Sequence, residues 1–104
     1  MYMGEALKLR LEEEGVLVAE EAWTKAGIEC EIIHTGGGCY ALVAQLENGL
    51  EAVQSEMGFG IYVNEEWNIW LKHTDKVPYD DFAAQVSWIK FVQGHPNREW
   101  QLSE

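Results

Sequence analysis

The chain has 104 residues, 47% of them hydrophobic, and carries a formal net charge of −11. That length gives one domain with a modest core, and five Trp, four Tyr and three Phe exclude an unfolded acidic tail. No basic residue occurs between Lys25 and Lys72, where seven carboxylates fall, namely Glu29, Glu31, Glu47, Glu51, Glu56, Glu65 and Glu66; a field of that sign repels phosphate backbones and attracts basic surfaces, which argues against direct nucleic-acid binding.

In chain order, residues 4–14 read as a helix with Leu7 and Leu11 one turn apart, and Gly15 marks a break or kink. Residues 16–26 form a clearer amphipathic helix. Val16, Ala19, Trp23 and Ala26 recur at helical spacing, and Gly27 follows where a left-handed C-terminal residue is needed.

The period then changes to two. Residues 28–35 alternate as a half-buried strand, with Cys30 and Ile32 on one side and Glu29 and Glu31 on the other. Gly36, Gly37 and Gly38 turn the chain into a more apolar strand over 39–46. Asn48-Gly49 is a hairpin turn, leading to a third strand over 50–55. A fourth strand is expected over 59–64 and a fifth over 67–72. The fifth would put Trp67, Ile69 and Leu71 on one face and Trp70 on the other.

A helix closes the chain, capped by Asp80 and Asp81 and stopped at Gly94 and Pro96. Tyr79, Phe82, Val86, Ile89 and Val92 fall on its apolar arc. Helices flanking a run of hairpins predict a single α+β domain over 1–104. Its antiparallel meander of four to five strands would be covered on one face, in two layers.

Few constellations carry chemistry. Cys30, His34 and Cys39 have zinc-ligand residue types, but Cys30 and His34 stand about 13 Å apart along a straight strand, too far for one ion. Cys30 and Cys39 are out of register for a disulfide. A Cys39 nucleophile with His34 or His73 as base lies in a field that raises a thiol's pKa, when a reactive thiolate needs it lowered. The three glycines lack the Lys-Ser/Thr and the helix start of a phosphate loop. No cofactor, metal or catalytic residue is expected. Without a basic leader or an apolar run of roughly 20 residues, the expectation is a soluble, reduced, cytoplasmic protein.

Residues 27–46, with Gly27-Ile28 leading into a strand and Thr35-Gly36-Gly37-Gly38-Cys39 turning it, resemble a segment of small uncharacterised proteins of bacteriophages infecting actinobacteria. The resemblance implies an accessory phage product acting in the host cytoplasm. By analogy with other small acidic phage proteins, it suggests a nucleic-acid mimic that inhibits a defence protein.

Two functions follow as expectations. The first is a non-catalytic binding protein that meets a basic surface, such as a nucleic-acid-binding host or defence protein. Glu29, Glu31, Glu47, Glu51, Glu65, Glu66 and Trp70 would make the contact, and a homodimer is allowed. The second is a small-molecule module with a pocket near Gly36–Gly38 and the aromatics Tyr40, Trp67 and Trp70, suited to a neutral or cationic ligand.

Overall fold

The structure is a computed structural model that describes residues 15–36, 39–47, 49–95 and 99–103. The helix expected over 4–14, Gly37 and Gly38 of the glycine turn, Asn48 of the hairpin turn and Pro96 after the last helix lie outside these residues. Helix α1 (Val16–Lys25) buries Val16, Ala19 and Trp23, the stripe its spacing predicts. Gly15 precedes it with φ 74°, a left-handed conformation that interrupts any continuous helix at this point. At the other end Ile28 N–H donates to Trp23 O and Gly27 N–H to Thr24 O, each at 3.0 Å. With Gly27 at φ 83°, this pair of bonds closes the last turn and satisfies two carbonyls the helix would leave open.

Six antiparallel strands follow: β1 (Glu31–Gly36), β2 (Cys39–Gln45), β3 (Leu50–Ser55), β4 (Gly58–Val63), β5 (Glu66–Leu71) and β6 (Leu102–Ser103). Their order in the sheet is their order in the chain. The sixth strand, drawn from the C-terminal tail, was not expected; Trp70 pairs with Ser103 and Leu71 with Leu102. It makes β5 an interior strand. Between β5 and the last helix, a short 3-10 turn (Thr74–Lys76) tucks Thr74 inside. The Thr74 hydroxyl donates to Leu71 O and accepts from Ile61 N–H at 3.1 Å, giving a buried amide of β4 a partner.

Helix α2 (Phe82–Gly94) is capped as expected, the Asp81 carboxylate accepting from Ala84 N–H at 3.1 Å. Its buried stripe differs from the expected arc. Gln85 is buried with Ile89 and Val92, whereas Tyr79 is exposed and Phe82 and Val86 are only partly buried. The reason is a polar bond inside the core. Trp23 Nε1–H donates to Gln85 Oε1 at 3.0 Å, and Gln85 Nε2 donates to the carbonyls of Pro78 and Tyr79.

Both helices pack on one face of the sheet, where Leu42, Ala44, Leu50, Ala52, Phe59, Ile61 and Leu71 join them in the main core. The other face carries a smaller cluster of Ala41, Val43 and Val53, flanked by Ile33 and Tyr62. Strand β3 is therefore buried on both sides along nearly its whole length.

Candidate functional site

The register of the meander decides where the carboxylates go. Glu29 and Glu31 stand at the start of β1, Glu47 in the β2–β3 turn, and Glu65 and Glu66 at the β4–β5 turn. In an antiparallel meander these points share one end of the sheet. All five side chains are exposed. Glu56, in the β3–β4 turn, lies at the opposite end, as do Lys72 and Lys76 beyond the end of β5. The acidic surface is thus an end of the sheet rather than a face. A shallow hollow of about 250 Å³ opens there, bordered by Glu29, Cys30 and Glu31 on one side and Val43 and Gln45 on the other. No lysine or arginine lines it. Lys25, at the end of α1, is engaged with Glu21 at 3.0 Å.

Glu51 departs from the expectation of a partner-facing carboxylate. It is only 5% exposed, because it sits on the doubly covered strand β3. Its carboxylate accepts three hydrogen bonds: from Gln45 Nε2 at 2.8 Å, from Glu65 backbone N–H at 3.1 Å and from Trp67 Nε1 at 2.6 Å. These bonds stand in for the water a buried carboxylate loses. They also fix the β4–β5 turn, where Glu65 holds a left-handed φ of 67°.

The two tryptophans of β5 both depart from expectation. Trp67, expected on one face with Ile69 and Leu71, is 39% exposed. Trp70, expected as an exposed contact, is half-buried, because β5 is flanked by β4 and β6: it pairs with Tyr62 on one side and Ser103 on the other. Trp67 is displaced by an irregularity in the pairing of β4 with β5: Tyr62 opposes Trp70 while the next residue, Val63, opposes Glu66. Strict alternation fails across it, so Trp67 does not follow Leu71 into the core.

On the face away from the helices lies a larger groove of about 560 Å³. Its floor is Ala41 and Val53, and its aromatic walls are Tyr62 and Trp67; Tyr40 borders it, but the Tyr40 ring packs against the main core on the helix-covered face. Thr35 and Cys39 line it at the β1–β2 turn, and Ser55, Glu56 and Met57 at the β3–β4 turn, with Asp75 reaching in from the 3-10 turn. Tyr62 lies over Gly60, where any Cβ would come within 2.6 Å of the phenol ring. Its ring contacts that of Trp67 at a centroid distance of 6.3 Å. Burial, and then the charge of Asp75, push the Tyr62 phenol above its ordinary pKa.

The remaining candidates stay apart. Cys30 and Cys39 are both free thiols. Burial pushes the Cys30 thiol up, the Thr24 hydroxyl draws it down, and Glu20 adds to the rise, so the balance opposes a reactive thiolate. His34 is exposed and rests against the Tyr40 ring. Among the described residues no cluster of His, Cys, Asp or Glu has the spacing to hold a metal ion, and no helix is long and apolar enough to cross a membrane.

Compared with family models, with curated proteins and with solved structures, the chain matches none of them.

Proposed function

We propose that this chain is a non-catalytic binding protein whose acidic end of the sheet docks on a basic protein surface. The observation that carries the reading is the convergence of Glu29, Glu31, Glu47, Glu65 and Glu66 at one end of the meander, around a hollow without a cation. Five exposed carboxylates on short turns and strand ends create a local field that a compact basic patch would neutralise. The hollow beside Glu29 and Glu31 offers room for one guanidinium or ammonium head group. Glu51 is excluded from the contact and serves it indirectly, by holding the turn that displays Glu65 and Glu66. Trp70 is likewise an internal residue of the sheet, and Trp67 is the exposed indole nearest this end. The resemblance to actinobacteriophage proteins makes a nucleic-acid-binding host or defence protein the natural partner class.

The test is titration of an arginine-rich peptide by isothermal calorimetry at two salt concentrations, with the parent chain and with the Glu29→Lys, Glu31→Lys double variant. Parent binding weakens steeply with salt, and the double variant binds weakly with a flatter salt dependence. Capture from host lysate under the same two washes then isolates the natural partner. Equal binding by parent and variant would remove this end of the sheet from consideration.

A further inference from the structure

The open-face groove shares no lining residue with the hollow beside Glu29 and Glu31. It runs from Trp67, near the β4–β5 turn, to the β1–β2 and β3–β4 turns at the opposite end of the sheet. Its volume, about 560 Å³, falls within the roughly 300–1,000 Å³ range of small-molecule sites. Such sites combine apolar walls with a few polar groups, and this one has aromatic and aliphatic walls with hydroxyls at Thr35 and Ser55. Its charged lining residues are Glu56 and Asp75, with no lysine, arginine or histidine among the rest.

We propose that this groove binds a small organic cation carrying an apolar or aromatic group. The aromatic rings of Tyr62 and Trp67 present negative π-faces, which attract alkylammonium groups strongly when water is displaced. Glu56 and Asp75 supply the counter-charge. An anion meets two carboxylates and no donor cation, so nucleotides and carboxylic acids are refused. A neutral ligand gains the apolar contacts but forgoes both electrostatic terms.

The walls are built before a ligand arrives. Tyr62 is seated over Gly60, a position where no side chain larger than hydrogen fits beneath it. Trp67 is oriented by its 2.6 Å bond to Glu51 and stacked at a tilt on Tyr62. Rings held in place by their own packing lose little freedom on binding, which favours affinity. Asp75 and Tyr62 line the same groove, and burial, then the charge of Asp75, raise the Tyr62 phenol pKa.

The test uses three probes of one shape: phenyltrimethylammonium, neutral N,N-dimethylaniline and anionic benzoate, titrated at pH 7.5 into the ¹⁵N-labelled chain. The expected result is saturable movement of the Trp67 indole and the Val53 and Tyr62 amide signals with the cation, about fivefold or more weaker binding of the neutral probe, and none of the anion. Asp75→Asn, an exposed change with nearly the same shape, weakens the cation by a similar factor and leaves the neutral probe unaffected. Trp67→Phe, which keeps an aromatic wall, weakens it less than Trp67→Ala. Three results each overturn the proposal: equal binding of cation and neutral probe, shifts centred on Glu29 and Glu31 instead of the groove, or no saturation. Because the arginine-rich peptide is read through Glu29 and Glu31, which do not line the groove, either site can fail without the other.

Discussion

The indole nitrogen of Trp67 donates to Oε1 of Glu51 across 2.6 Å, tying a 39% exposed side chain to one that is 5% exposed. The same oxygen accepts from the backbone of Glu65, so one buried carboxylate orders an aromatic wall and a turn together.

Glu51→Ala removes all three bonds, leaving Gln45, Glu65 and Trp67 donors to find water. Stability falls by about 1–3 kcal/mol, the usual cost of stranding partly buried donors. Urea denaturation measures the loss, and the Trp67 indole N–H signal moves toward its solvent-exposed position. Glu51→Gln keeps an acceptor for Trp67 and loses less.

Gln85→Leu is the corresponding change in the main core. Leucine fills the space, but the Trp23 N–H is left without a partner at a site that is 0% exposed. A destabilisation of about 1–3 kcal/mol follows from the orphaned donor. The double change Gln85→Leu with Trp23→Phe removes that donor and recovers part of the loss, offset by the smaller ring; thermal melts of the single and double variants read both.

Trp70→Ala and Trp67→Ala separate structure from surface. Trp70 lies in an interior strand, half-buried, so its truncation costs about 2 kcal/mol or more in folding free energy, toward the range for large core residues. Trp67→Ala costs less in stability. Parallel chemical denaturation of the two variants tests the order.

Tyr62 links the groove to pH. Burial and Asp75 raise its folded pKa above the unfolded value, so the folded state holds the phenol proton more tightly. That contribution is fully present below the unfolded phenol pKa, about 10, and is lost as pH rises through the higher folded value. Stability therefore declines with alkaline pH above about 10, and Tyr62→Phe removes this part of the decline. Phenol absorbance followed alongside circular dichroism reports it.

Crowded carboxylates at one end of the sheet also repel each other. Their mutual range shrinks to about 8 Å at physiological ionic strength. The melting temperature accordingly rises by a few degrees on adding sodium chloride, and Glu29→Lys with Glu31→Lys reduces that rise.

Much of this architecture is legible in the residues. Val16, Ala19 and Trp23 mark α1 by spacing alone, Asp81 marks the start of α2, and the positions of β1 to β5 follow from alternation and the turn residues between them. Three features are not legible, each for a local reason. Glu51 reads as solvated because its residue type is, and only the central place of β3 in the sheet turns it inward. Trp67 stays exposed because the irregular pairing of β4 with β5 breaks the two-residue period, and Trp70 is half-buried because β6 makes β5 an interior strand. Strand β6 is two residues long, too short for any periodicity, and exists because β5 offers an edge. For the candidate sites, the acidic stretch is visible in sequence, as is Trp67 as a groove aromatic. The groove's Asp75 and Tyr62 come from elements whose placement depends on the sheet.

The strand order has a kinetic consequence. From β1 to β5 each strand pairs with the next in the chain, so most of the sheet is built from contacts of low sequence separation. Such topologies close small loops first and fold quickly. The β5–β6 pairing is different: it joins Trp70 to Ser103 across the whole of α2. Closing that clasp costs more loop entropy than any hairpin of the meander, and only two residue pairs hold it.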